Sequence, residues 1–359
     1  MKEQTRNRSI DLLKCISMLM VVALHATNTN AEYGLGSVAF ADPYQPHAVF
    51  SLLLRAVSLV AVDCFVLITG YFLCTADARV SKALKLWITV FIYSFGFYLL
   101  LCIVPFSSTK LSFDEAIRSA FPVVNRGYWF FTAYIILYLL SPFLNRLISS
   151  ISERDHRILL MILFVLFVIL TSVFGDQSEA NGGYSLCWFI ILYLTASYLR
   201  KHPLRKLPYG WIYLALSLLQ FGVMLLRVGL KEHPNAENHL ASLASYNSIL
   251  VFPAAVSLFM FFLQHPIKSK GKMGKAISKI ASLTFGVYLL HEHPYLRPII
   301  WNKLVCFDRF VDTPLKFIAV MIGAVIAIFA AGILTEWIRT LVFRPIDRRI
   351  DEKLKQTII

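Results

Sequence analysis

Ten continuous apolar runs constrain this chain more than any other feature. They lie near 10–27, 49–74, 84–105, 128–148, 158–174, 185–199, 211–229, 246–263, 276–291 and 315–342. Most approach the roughly 20 residues that a helix needs to cross ~30 Å of hydrocarbon. The sixth and ninth are short and the tenth is long. A membrane barrel strand would alternate polar and apolar side chains over about ten residues, and these runs do not, so they predict helices. The composition agrees, with 57% hydrophobic and only 16% charged residues, against about 25% charged in soluble domains. A soluble fold, a disordered chain and a nucleic-acid binder are excluded as first readings. The expected fold is an all-α polytopic membrane bundle of about ten transmembrane helices in one domain.

The net charge of +14 gives this bundle a direction. Ten spans place both termini on one side. The N-terminal tail holds Lys2, Arg6 and Arg8, and the loops on the same side hold residues such as Arg79, Lys82, Lys85, Arg200, Lys201, Lys268, Lys270 and Lys275. On this side lie 23 of the 35 Lys and Arg residues, against 7 in the opposite loops, among them Lys110, Arg126, Lys231 and Arg297. Basic residues stay cytoplasmic, so the termini are expected inside and the protein in the plasma membrane. The first run lacks a small-residue cleavage site after it and reads as a retained span. The six cysteines are scattered without a CxxC pair and read as packing residues. No metal site is expected.

Ionisable groups inside spans are costly and therefore candidates for function. At ~1.5 Å per residue, Lys14 lies about 6 Å and His25 about 22 Å above the inner boundary. By the same count the second span puts Arg55 about 9 Å and Asp63 about 21 Å below the outer one. Two levels follow, His25 with Arg55 and Lys14 with Asp63. The second level reads as an ion pair, or Lys14 snorkels to the surface. His25 is either a packed histidine or a proton-transfer group. Arg126, Tyr128 and Trp129 open the fourth span, where aromatic residues commonly anchor at the interface. Tyr288, His291, Glu292 and His293 close the ninth, either solvated at the helix end or converging on His25 and Arg55.

Four blocks, Arg8 to His25, Arg55 with Ala61 to Leu73, Tyr128 to Asn145 and Gly286 to Glu292, together resemble the acyltransferase 3 family of membrane acyltransferases. Arg8-Ser-Ile-Asp11-Leu-Leu-Lys14, followed by Val21-Val22-Ala23-Leu24-His25, is similar to the family's opening. Arg55, then Ala61-Val62-Asp63-Cys64-Phe65-Val66-Leu67-Ile68-Thr69-Gly70-Tyr71-Phe72-Leu73, resembles its R…(A/V)VPxFFxxSGYFL signature, with Thr69 in place of Ser and Asp63 in place of Pro. Tyr128-Trp129-Phe130 with the Tyr138 to Asn145 stretch, and Gly286-Val-Tyr288-Leu-Leu-His291-Glu292, look like two further family blocks.

The resemblance implies transfer of an acyl group, usually acetyl from cytoplasmic acetyl-CoA, onto a carbohydrate or lipid-linked sugar at the outer face. It also implies an essential His25. Acetyl-CoA or another acyl-CoA would be a substrate, and no permanently bound cofactor is implied. The family's basic R-x-x-R element corresponds here to Arg79-Val-Ser-Lys82-Ala-Leu-Lys85, where Lys replaces a bidentate Arg with a point charge. On this reading Arg79, Lys82 and Lys85, with Lys14 or Arg8, hold the donor's anionic end. His25 acts as general base or acyl acceptor, Arg55 stabilises the oxyanion, and Glu292 or His291 orients His25 or the sugar. Arg126, Tyr128 and Trp129 are the acceptor-side candidates. An exporter or flippase of saccharide or lipid stays open, since intramembrane His, Arg and Asp also mark transport paths. A glycan polymerase or a sensor-like scaffold is a further class.

Overall fold

The computed structural model describes residues 7–27, 44–104, 107, 109–124, 127–175, 178–230, 242–267, 271–354 and 357–359. Among these residues there are helices and connecting turns, with a single isolated β-bridge between Arg79 and Ile358. The helices are α1 (Arg8–Ala26), α2 (Pro46–Ser58), α3 (Ala61–Leu73), α4 (Val80–Ile103), α5 (Phe113–Ala120) and α6 (Trp129–Ser150). They continue as α7 (Glu153–Phe174), α8 (Leu186–Lys201), α9 (Tyr209–Gly229) and α10 (Val251–Gln264). The last three are α11 (Lys272–His291), α12 (Pro314–Val342) and α13 (Arg344–Leu354).

All ten apolar runs are helical, and seven of the resulting segments are long and apolar enough to cross a membrane. The other three are α8, α10 and α11. The first two have 16 and 14 residues, and α11 begins with Lys272, Lys275 and Lys279 within its first turns. The second run is divided, with α2 and α3 meeting at Leu59 and Val60. The basic residues Lys2, Arg6, Lys231, Lys268 and Lys270 lie outside the described residues.

In a bilayer each backbone carbonyl must find its partner inside the protein. At Pro142, within α6, the missing N–H leaves the carbonyl of Tyr138 without its helical donor. Ser141 Oγ donates to that carbonyl at 2.7 Å, so the helix continues through the proline. Two π-turns, Ile92–Gly96 in α4 and Val165–Ile169 in α7, are absorbed in the same way. Within the first, the Ser94 carbonyl accepts from His293 Nε2 at 3.1 Å.

Two buried acids lean on neighbouring donors, Glu336 through both oxygens and Asp63 through Oδ1, its Oδ2 making no hydrogen bond among the described residues. Glu336 of α12 accepts from Tyr93 Oη at 3.0 Å and from Arg339 at 2.9 and 2.7 Å. Asp63 is fully buried, and its Oδ1 accepts from Trp188 Nε1 at 2.9 Å. Its partner is therefore an indole of α8, and the expected Lys14–Asp63 level does not form. Indole donors suit this site because Asp63 opens α3, where that helix packs on α8.

Helices approach most closely where glycine removes a side chain. A Cβ at Gly332 would lie 2.5 Å from Val287 Cα, and one at Gly286 would lie 2.3 Å from Glu336 Cβ. Glycines from both helices therefore set the α11–α12 crossing, the small-residue packing that draws membrane helices together. Gly70 of α3 does the same against Tyr193 and Ala196 of α8. At the far end of the chain, residues 357–359 run beside 78–80. Ile359 N donates to Ala78 O at 2.9 Å, and Val80 N to Thr357 O at 3.2 Å.

Gly332→Ala should lower stability by about 1–3 kcal/mol, because the methyl meets backbone with no free side chain to yield. Thermal unfolding in detergent measures this, and Gly323→Ala, whose Cβ meets nothing within 4 Å, serves as the control.

Candidate active site

α1 and α11 run side by side in the same direction and are tied at both ends. Near their N-termini Ser278 Oγ donates to Asp11 Oδ2 at 2.6 Å. Near their C-termini His25 Nδ1 and His291 Nε2 lie 2.8 Å apart. Between these ties α1 turns Lys14, Met18, Val21 and His25 toward a cavity of about 1390 Å³. Their spacing of four, three and four residues is one stripe of a helix. The opposite walls come from α3 with Phe65 and Thr69, and from α6 with Trp129, Tyr134 and Tyr138. The cavity extends from Lys82 and Arg79 at one end to Arg55, Glu292 and Arg297 at the other.

The hydrogen bonds fix which histidine nitrogen is free. His291 Nδ1 lies 2.5 Å from the carbonyl of Val287. A carbonyl only accepts, so Nδ1 of His291 carries a proton. With both rings neutral, His291 Nε2 is then a lone-pair acceptor, and the proton between the rings belongs to His25 Nδ1. That leaves His25 Nε2 as an unprotonated base. Its side chain keeps 27% of its surface accessible, and this residual exposure is to the cavity.

Glu292 is placed to support a charge on this ring. Its Oε2 accepts from Arg297 Nη1 at 3.0 Å, and its Oε1 stands 3.4 Å from His25 Nδ1. Oε1 is buried and makes no hydrogen bond among the described residues. It becomes a stronger partner for Nδ1–H when His25 gains a second proton. The three donor atoms of His25, His291 and Glu292 lie within 4.8 Å of one another, the reach of a single ion. The 2.8 Å between the ring nitrogens is nonetheless a hydrogen-bond length, shorter than the ~3.3 Å that two tetrahedral zinc ligands would keep. His293, past the end of α11, is structural. Burial pushes its pKa down to about 4, and it donates to Ser94.

The expected site residues divide by place. His25, Arg55, Glu292, Lys14, Arg79, Lys82 and Trp129 all line the cavity, and His291 supports His25 from behind. Arg55 lies beside His25 as expected, with Nη1 3.5 Å from Leu24 O. Lys82 Nζ stands over the Tyr138 ring at 5.1 Å. The Tyr138 hydroxyl accepts from Arg79 N at 2.8 Å, which holds that segment at the rim.

Three of the expected residues lie off the cavity lining. Lys85 faces away from the cavity and pairs with Asp351 of α13 at 2.5 Å. It lies only about 60° around α4 from Lys82, and the contact with Asp351 is what carries its ammonium away from the cavity. Tyr128 is buried, 1% exposed, with its hydroxyl given to Leu289 O at 3.0 Å, so it joins helices and does not line the cavity. Arg8 lies outside the cavity, in a smaller depression with Lys275, Ser278, Lys279 and Ser282. Arg126 lies outside the described residues.

Sequence reasoning missed Arg297, Tyr184 and Tyr246, which all line the cavity. Arg297 counted as a loop cation, and only its position five residues past Glu292, across Pro294, pointed to it. Tyr184 packs at a tilt against Trp129, with ring centroids 4.7 Å apart and planes at 53°, and against Tyr246 at 5.0 Å and 55°. These rings form an aromatic wall near the His25 end.

The chain matches the acyltransferase 3 family model, described as an acyltransferase domain, over residues 7–333. No curated protein and no solved structure matches the chain.

Tyr128→Phe leaves the Leu289 carbonyl without its donor and should cost about 1–2 kcal/mol. The thermal midpoint in detergent reads this directly, and unchanged stability would return Tyr128 to the candidates for acceptor contact.

Proposed function

The chain belongs to the acyltransferase 3 family of membrane acyltransferases, and from that premise we propose that it moves acetyl from acetyl-CoA onto a hydroxyl of a cell-surface polysaccharide or lipid-linked sugar. The observation that carries this reading is the relay from Glu292 and His291 to His25, whose free Nε2 opens on a cavity with cations at both ends. In this reading the protein sits in the plasma membrane with both termini cytoplasmic. The donor approaches from the end of Arg79 and Lys82, and the acceptor from the end of Arg55 and Arg297.

The chemistry is direct transfer. His25 Nε2 removes the proton of the acceptor hydroxyl as its oxygen attacks the thioester carbonyl carbon. The carbonyl π pair moves to oxygen, and Arg55 stabilises that oxyanion. Collapse re-forms the carbonyl and breaks the C–S bond. The imidazolium of His25 then returns its proton to the departing thiolate, giving free CoA and an ester. Glu292 Oε1, 3.4 Å from Nδ1, stabilises the imidazolium between these two transfers. His291 and Glu292 are therefore positioning residues, and His25 and Arg55 touch the reacting atoms. Trp129 and Tyr184 offer flat apolar faces against which a sugar ring packs.

Proteoliposomes supplied with acetyl-CoA and an acceptor glycan should release free thiol and form an ester together. His25→Ala should lower kcat by about 10²–10⁴-fold, the usual contribution of a general base, while the protein still inserts. Thiol release at the normal rate from His25→Ala would sink the scheme. Glycan movement without any thiol release would favour the exporter reading. Arg55→Lys keeps the charge but loses the planar fork, and kcat should fall about tenfold.

A further inference from the structure

We infer that Arg8, Lys275 and Lys279 form a phosphate seat for the donor, separate from the Arg79–Lys82 rim, and that it takes the 3′-phosphate monoester of acyl-CoA. The inference rests on the acyl-transfer reading above. Arg8 is the first residue of α1, and Lys275 and Lys279 are one turn apart on α11. With Ser278 and Ser282 they line a depression of about 360 Å³. Positions 275, 278, 279 and 282 fall on one face of α11, so two ammonium groups face the same space as the guanidinium, while Ser278 and Ser282 give their hydroxyl hydrogens to Asp11 Oδ2 and the Lys279 carbonyl. That donor set suits a phosphate monoester, with a fork for paired oxygens and point charges for the rest.

Its position relative to the cavity makes it a donor site. Ser282 lines both the depression and the main cavity, so the two adjoin. From Arg8 to His25 is 17 residues of one helix, about 25 Å at its ordinary rise. Acyl-CoA is built to this plan, with its phosphates at one end, its thioester at the other and a narrow chain between. Lys14, Met18 and Val21 line the way to His25. Lys82 stands over Tyr138 and Arg79 is held by Tyr138. On this assignment the Arg79–Lys82 rim takes the diphosphate and the α1–α11 depression takes the monoester. The same donors would also suit an anionic lipid headgroup, and the test separates the two.

The double variant Lys275→Gln/Lys279→Gln changes exposed side chains and should keep its thermal midpoint. In proteoliposomes its KM for acetyl-CoA should rise about tenfold, the equivalent of one charge-assisted contact, with kcat unchanged. Wild-type protein should show a similar rise when 3′-dephospho-acetyl-CoA replaces acetyl-CoA. The variant's KM for that truncated donor should not rise further. Adenosine 3′,5′-bisphosphate should bind the solubilised wild type and bind the variant about tenfold more weakly by calorimetry. Equal rises for both donors, or an unchanged KM, would overturn the seat. A KM effect present only in phosphatidylglycerol vesicles, and absent in phosphatidylcholine, would overturn it in favour of a lipid headgroup. Wild-type thiol release without discrimination between donors removes only this seat. No thiol release at all removes the acyl-transfer reading with it.

Discussion

The register between α1 and α11 is held by two short contacts, Ser278 to Asp11 at 2.6 Å and His25 to His291 at 2.8 Å. They lie 14 residues apart on one helix and 13 on the other. A slide or rotation of either helix would break both contacts at once and leave polar groups unpaired in a low-dielectric interior, where each orphan costs several kcal/mol. The orientation of the His25 ring is thus set in part by a tie at the opposite end of the same helix pair. On the other side, the Gly286 and Gly332 crossing presses α11 onto α12, so α11 is held between two neighbours.

This arrangement explains why so few of the polar residues in the spans belong to the chemistry. Asp63, Glu336, Arg339 and Asn145 are all held by neighbours. Asn145 donates to Leu73 O and accepts from Tyr193 Oη at 2.6 Å. These groups keep α3, α6, α8 and α12 in place around the cavity. The polar groups that face open volume include those on the inner stripe of α1, Glu292 past the end of α11, and Arg55, Thr69, Arg79 and Lys82 across from them. A buried polar residue in this bundle is in most cases a fastener, and what distinguishes a reacting one is an unfilled side.

The sequence made the helices and the cavity's main axis legible, because hydropathy and the basic rim depend on neighbours along the chain. His25, Arg55, Glu292 and Trp129 were found from their positions at span ends and from the family blocks, and they do converge. The Lys14–Asp63 pair failed because equal depth does not fix the direction a side chain takes around its helix. Asp63 turned to Trp188, a residue with no charge to advertise it. The contact of Lys85 with Asp351, 266 positions away, is likewise invisible to local spacing. Arg297 and Tyr246 were hidden because each sits in a connection whose path only the fold defines.

The pairing of residues 357–359 with 78–80, together with the Lys85–Asp351 contact, couples the end of the chain to the cavity's rim. Ala78 and Val80 flank Arg79, which lines the cavity. A change anywhere in residues 357–359 would therefore be felt at Arg79 on the cavity's rim as well as in that segment itself.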